Sequence, residues 1–395
     1  MQLTFIFKSQ NIKVQNMNNI YQREQKNFIN INPLQTAGKL TKEAWDALLE
    51  WGDGYSVCDY CGGSLDHIKK PPIESFIHEI LPNFLGIPHV RVTNGAREAK
   101  FAIFNALSNH KDDYIVMDSL AHYSSKVAAE RANLEIIFTR QTQKPEYKIY
   151  SNDFIEAIHE GIQKYHKKPL LVLITYPDGG YGNLVDLKNS IKEIHDENIP
   201  VLVNGAYCIG RMPFKSKEFN ADFIVGSGHK SMSACGPIGV LGISEEYEPL
   251  LLKKSKYSKV KEVELIGCTA RSASIMTLMA SFPKVLERTK KKNWEKEVFK
   301  AQNFIKNLEE TSQFQLLGDH PHCHDVMFYE SPGFYDCSLK AKDGRYFLYN
   351  ELKKRKIHGI KPGLTKNFRM STYGLSNEEI KYVLDSFKEI LLKYN

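Results

Sequence analysis

The chain has 395 residues, 42% of them hydrophobic and 25% charged, which supplies a sizeable core and excludes disorder for its bulk. No apolar run approaches the ~18 residues of a membrane span, and the short apolar stretch at 1–8 is no secretory signal, so a cytosolic protein is expected. The formal charge of +7 permits an anionic partner such as RNA without requiring one, and seven cysteines, an odd number, argue against a disulfide framework.

Residues 1–40 are polar, rich in Asn and Gln, and read as an arm that packs on a partner subunit. Residues 40–51 predict an amphipathic helix opened by Thr41 and Glu43 and stopped by Gly52 and Gly54. A loop carrying Cys58 and Cys61 follows, closed by Pro71-Pro72, and then a helix over 73–85 that Gly86 and Pro88 stop. From residue 89 the pattern alternates. Short apolar runs at 89–92, 113–117, 135–138, 170–176, 201–204, 222–225 and 238–243 predict strands, with helices at 97–107, 124–132, 154–165 and 187–196. These seven strands imply an α/β fold: a mostly parallel sheet between helices, binding ligands at the carboxyl ends of its strands. A helical stretch over 272–308 leads into a smaller C-terminal α/β domain whose last helix is 378–394. The expected units are an arm 1–40, a large domain 41–280 and a small domain 281–395.

The segment 222–232, Asp-Phe-Ile-Val-Gly-Ser-Gly-His-Lys-Ser-Met, ends a buried strand in permissive backbone and presents Lys230. Desolvation lowers the basicity of such a lysine and exposes its lone pair for Schiff-base chemistry. Thr93-Asn-Gly-Ala-Arg-Glu98 lies between a strand and a helix, where backbone N–H groups suit a phosphate and Arg97 adds charge; it also describes a plain helix start. His122 ends the following strand, placed to stack on a ring or move a proton, although a lone histidine is often structural. Val201-Leu-Val-Asn-Gly-Ala-Tyr-Cys208 puts Asn204 where an enzyme using pyridoxal phosphate (PLP) presents an acid to the ring nitrogen; Asn-Gly is also a plain turn signal.

The pair Cys58 and Cys61 suits zinc, an iron–sulfur cluster, or redox and persulfide chemistry. Cys268, in a glycine-marked turn before a helix, reads as an activated thiol or a small buried hydrophobe, and the other four cysteines read as structural. Arg369, in Phe-Arg-Met-Ser, is a candidate anion binder. Basic runs at 253–261, 288–292 and 353–356 read as solvated faces or as a surface for a phosphate backbone.

The order of these motifs resembles fold-type-I PLP enzymes of the cysteine desulfurase branch, from about residue 30 onward. With Cys58 and Cys61 ahead of the core, Asn204 in place of the acid and Cys268 behind the lysine, it is similar to the O-phosphoseryl-tRNA:cysteinyl-tRNA synthases, which complete the indirect archaeal route to Cys-tRNA. The resemblance implies a homodimer with active sites at the subunit interface, working with an O-phosphoseryl-tRNA synthetase. Lys230 would carry PLP; Ala96, Arg97, Ser227, Gly228 and His229 would hold it; His122 would stack on its ring and Asn204 would meet its nitrogen. Cys58, Cys61 and Cys268 would handle sulfur, as a persulfide or around an iron–sulfur cluster. The implied reaction expels phosphate from tRNA-bound phosphoserine, through dehydroalanyl-tRNA, and adds sulfur from an unassigned donor. Arg369 and Arg97 would then face the substrate, Arg369 at its phosphoryl group or terminal ribose. The rival readings are a cysteine desulfurase acting on free amino acids and a non-catalytic RNA-binding protein on the same fold. No membrane or DNA partner is expected.

Overall fold

A computed structural model describes residues 27–53, 73–110, 112–265 and 272–394. Its strands are β1 (Ile29–Asn30), β2 (His89–Thr93), β3 (Tyr114–Met117), β4 (Glu135–Phe138), β5 (Val172–Thr175), β6 (Val201–Asn204), β7 (Phe223–Ser227), β8 (Gly239–Ile243), β9 (Gln315–Leu317), β10 (Val326–Glu330), β11 (Ile357–His358) and β12 (Asn367–Ser371). The seven predicted strands form one sheet in the order β2-β8-β7-β6-β5-β3-β4. It is parallel except where β8 pairs antiparallel with both neighbours.

Strands β3, β5 and β6 are buried at every residue, as near-continuous apolar runs must be when helices cover both faces. Alternate residues separate the two cores. Tyr114, Val116, Val172 and Val203 pack on one side, and Ile115, Met117, Leu173 and Leu202 on the other. Thr175, Asn204 and Val225 lie side by side in register, so β5 and β6 end at one level, while β7 runs two residues further, to Ser227, along the same rim.

A further core gathers Phe304, Phe314, Phe334, Phe347, Phe368 and Phe387 against the antiparallel sheet β12-β10-β9. The helical stretch predicted over 272–308 is two helices, Ser272–Arg288 and Lys291–Glu309. The break falls where Lys290 turns extended (ψ 136°) and the Asn293 amide takes the Glu287 carbonyl at 2.8 Å. Residues 73–85 also depart from a simple helix. A π-helical turn at Phe76–Ile80 precedes Pro82, which has no N–H to donate, and the run closes at Gly86 in the left-handed region (φ 67°).

The described part of the N-terminal arm packs within the chain. β1 pairs with β11, Ile31 is fully buried in the C-terminal core, and the Ala37 carbonyl receives Ser233 Oγ at 3.1 Å and Arg288 Nη1 at 3.2 Å. Arg288 also donates to Gly210 O at 2.6 Å and to Ser231 O, so it fastens backbone and is no member of a solvated basic face. At the sheet edge, Arg91 on β2 grips the buried Glu262 carboxylate through Nε (2.9 Å) and Nη2 (2.8 Å). Breaking such a buried pair costs about 3–5 kcal/mol, enough to fix the segment that carries Glu262.

Candidate active site

β7 delivers Ser227 into the short helical turn Gly228–Ser231, which carries Lys230. The Lys230 amine stands 5.1 Å from the centre of the Tyr207 ring. Burial, and then the nearby Arg211 cation, hold its pKa below the ordinary lysine value. Arg211 is wholly buried between Asp325 (3.2 Å), the Pro33 carbonyl (2.8 Å) and the faces of Tyr207 and Tyr373. Gly38, in the arm, lies so close to this turn that a Cβ there would meet His229 O at 2.3 Å.

Thr93 of β2 and Ser227 of β7 both pair with Gly239 of β8, which brings the two predicted anion-binding turns together. Gly95 makes the strand-to-helix corner at φ 97°, opening the helix Ala96–Leu107, and its Cβ position lies 3.6 Å from His229 Cε1. His229 Nδ1 donates to Ile238 O at 3.1 Å, and Ser227 Oγ lies 3.4 Å from the ring. Ser227, Gly228 and His229 thus lie beside Gly95 and the start of the helix that carries Ala96 and Arg97.

Asn204 ends β6, 3% exposed, and its Oδ1 has no hydrogen-bond partner among the described residues. Beside it, Asp118 Oδ2 accepts from Thr175 N (2.8 Å) and Oγ1 (2.7 Å), while Oδ1 is likewise unpartnered. Burial pushes the Asp118 carboxyl up to about 7 despite the Thr175 bonds. An unsatisfied buried oxygen costs about 1–3 kcal/mol, so two at one rim mark a place built for a polar guest.

His122 caps the helix Tyr123–Arg131. Its Nδ1 accepts from Ser124 N at 3.3 Å and lies 2.9 Å from Ser124 Oγ, so the neutral ring carries its proton on Nε2. Burial, then the cations Lys230, Lys100, Arg369 and Arg97, lower its pKa to about 4. Lys100 is 1% exposed and donates to Ser124 Oγ (3.0 Å) and Ser125 Oγ (2.7 Å). Burial and then Lys230 bring its pKa down to about 7. Asp118 and Lys100 were missed as site residues. The available signal was a lysine inside the apolar stripe Ala99, Ile103, Ala106 of its helix.

Arg97 donates to the Tyr123 hydroxyl at 3.2 Å. Arg369 reaches from β12 to Gly179 O at 2.7 Å, and Gly179 lies against His122. Both arginines therefore stand at the His122 rim. Cys58, Cys61 and Cys268 lie outside the described residues. Among the described residues no three His, Cys, Asp or Glu side chains form a metal-binding group, and Cys208 and Cys337 are buried.

These features fit pyridoxal phosphate: an amine of lowered basicity, an anion cradle, an orphaned Asn204 oxygen for the ring nitrogen and a neutral imidazole beside them. Fold and site together define a fold-type-I PLP-dependent enzyme. Residues 52–392 match the model of the O-phosphoseryl-tRNA(Sec) selenium transferase family, SepSecS, and the chain belongs to that family. It is 57% identical over 372 residues to the O-phospho-L-seryl-tRNA:Cys-tRNA synthase of Methanosarcina acetivorans, covering 94% of this chain and 95% of that protein. The protein of the same description from Methanocaldococcus jannaschii is 46% identical over 92% of this chain and 95% of its own. A solved SepCysS–SepCysE N-terminal domain complex superposes with a TM-score of 0.90 at 43% identity, covering 97% of this chain and 100% of the solved one. The cysteine desulfurase of Thermococcus onnurineus shares the fold, with a TM-score of 0.70 at 17% identity over 93% of this chain and 95% of its own.

Proposed function

We propose that this chain is a PLP-dependent sulfur transferase that converts O-phospho-L-seryl-tRNA(Cys) to L-cysteinyl-tRNA(Cys). The observation that carries the reading is the half-buried Lys230 amine, its basicity lowered, in the turn after β7, in a chain 57% identical to a protein named for that reaction. When bound, PLP supplies an electron sink for charge left at the substrate Cα. Ala96, Arg97, Ser227, Gly228 and His229 would hold its phosphate, and Asn204 would meet its ring nitrogen. An amide there makes a weaker sink than an acid, which suits phosphate, a good leaving group. Lys230 Nζ, of reduced basicity, takes the Cα proton and later returns one. His122 keeps out of that traffic because Ser124 occupies its Nδ1; its Nε2–H is left to donate.

Arg97 and Arg369 would hold the phosphoryl group, since a carboxylate esterified to tRNA leaves no free anion for them. Arg369→Ala should lower turnover of phosphoseryl-tRNA on the order of 10²-fold in steady-state assays, and unchanged kinetics would remove Arg369 from the site. Cys58, Cys61 and Cys268 would deliver sulfur to Cβ, around an iron–sulfur cluster or as a persulfide on one of them, a second thiol of the three then releasing the product thiol by closing a disulfide with the carrier. Iron and sulfide analysis after anaerobic purification separates the two carriers. In either case Cys58→Ala should abolish sulfur transfer while phosphate release persists. The reading extends to a cytosolic homodimer acting beside an O-phosphoseryl-tRNA synthetase. Its direct test is purified protein given phosphoseryl-tRNA or free cysteine: Cys-tRNA formation is expected, and sulfide release from free cysteine alone would overturn it.

A further inference from the structure

Of the three basic runs in the sequence, two are matched internally by acids. Lys290 and Lys291 pair with Glu287 and Glu295, and Lys354 and Arg355 pair with Glu351, while Arg288 is consumed by backbone carbonyls. The run at 253–263 is built differently. It folds back on itself, with Ser255 N donating to Lys261 O at 2.8 Å and Val263 N to Lys253 O at 3.0 Å. Two serine side chains shape the tip: Ser255 Oγ takes Tyr257 N at 3.1 Å and Ser258 Oγ takes Lys261 N at 3.3 Å.

The base of this hairpin is held by Glu262, gripped by Arg91 of the main sheet and by Lys254 at 3.0 Å. The acid therefore points inward and is neutralised there, while the lysines point out. Lys253, Lys256 and Lys259 are exposed and have no ion pair among the described residues. Tyr257, at the tip, is 87% exposed, with the Lys256 amine 5.1 Å from its ring centre. An aromatic ring held out in water among uncompensated lysines gains nothing for the fold. It matches what single-stranded nucleic acid needs: cations for phosphates and a flat face for a base. The chain then runs directly into the segment with Cys268, three positions after Leu265.

We propose that the 253–263 hairpin is an RNA-docking element, Lys253, Lys256 and Lys259 contacting phosphates and Tyr257 stacking on an unpaired base. It rests on the tRNA-dependent reading above and supplies that reading with a contact surface. The test measures binding of the phosphoseryl-tRNA and its turnover across a salt series, with wild type, a Lys253→Ala/Lys256→Ala/Lys259→Ala triple variant and Tyr257→Ala. The triple variant should bind on the order of tenfold more weakly, with a salt slope shallower by about two to three. Tyr257→Ala should weaken binding by roughly fivefold to a hundredfold with the slope unchanged. In both variants KM should rise and kcat at saturating RNA should hold. Wild-type affinity and slope in both variants would overturn the proposal, as would a change in subunit number, which would make the hairpin a contact between copies. Wild type that neither binds nor converts the RNA would instead sink the tRNA-dependent reading itself.

Discussion

Lys230→Ala is expected to abolish turnover, by a factor on the order of 10⁴–10⁶, while leaving melting temperature unchanged or raised. The two halves of that result come from one cause. The amine is buried enough to lose basicity and is next to the Arg211 cation, so its charged form is a burden to the folded chain. Removing it lifts the burden, and the turn that carries it stays anchored by Arg288, which donates to Ser231 O and to Ser233 Oγ at 2.9 Å. Borohydride reduction of wild type loaded with PLP should label Lys230 alone by mass spectrometry. A label elsewhere, or a variant that still turns over, would refute the assignment of the whole site.

The second large effect is expected at Lys100. Lys100→Met should reduce turnover about 10²-fold, because the hydrogen-bond chain Lys100–Ser124–His122 would lose its terminal donor. With no ammonium to occupy its oxygen, Ser124 has less reason to direct its hydroxyl proton at Nδ1. His122 then keeps only the long Ser124 N–H bond at 3.3 Å to fix its tautomer, and ¹⁵N spectra of the cofactor-free variant should show a fraction of Nδ1–H appearing. The sign of the pH effect on stability follows from the folded pKa of about 7 against an ordinary 10.5. Between those values the unfolded chain holds a proton the folded chain has released. Wild-type stability therefore rises with pH from about 7 to 10.5, and the cost is complete below 7. Thermal melts of Lys100→Met should lack that rise; a rise that survived would place the titrating group elsewhere.

The sheet was legible because parallel strands buried on both faces must be apolar throughout, and runs such as Val172–Thr175 and Val201–Asn204 have few other uses. The place of Lys230 in a turn just past a strand end was legible for a related reason: glycine, serine and histidine around a lysine at a strand end make a small vocabulary. Lys100 was not, since Ala-Arg-Glu-Ala-Lys reads as an ordinary helix face until its register against Ile103 is considered. The Arg211–Asp325 pair was out of reach altogether, because its partners are 114 residues apart and neither sits in a local pattern. Arg288 was read with its lysine neighbours for the same lack: sequence proximity groups charges that folding sends in opposite directions. The break at residue 290 turns on one asparagine side chain, a detail beneath the resolution of hydrophobic periodicity.

The pairing of Ile29 with Ile357 joins the first strand of the described chain to one far along it, in parallel register. A chain emerging from the ribosome has nothing to pair with β1 until more than three hundred further residues have been made. The Ile31 seat, which needs Ser371 N on Ile31 O at 3.0 Å, waits longer still. The same leading segment puts Gly38 against the backbone of His229, so the seating of the arm in the C-terminal core and the closing of the lysine turn are coupled. Docking of the arm beside the lysine turn is thereby a long-range event, late among the contacts of the fold and sensitive to anything that loosens the C-terminal core.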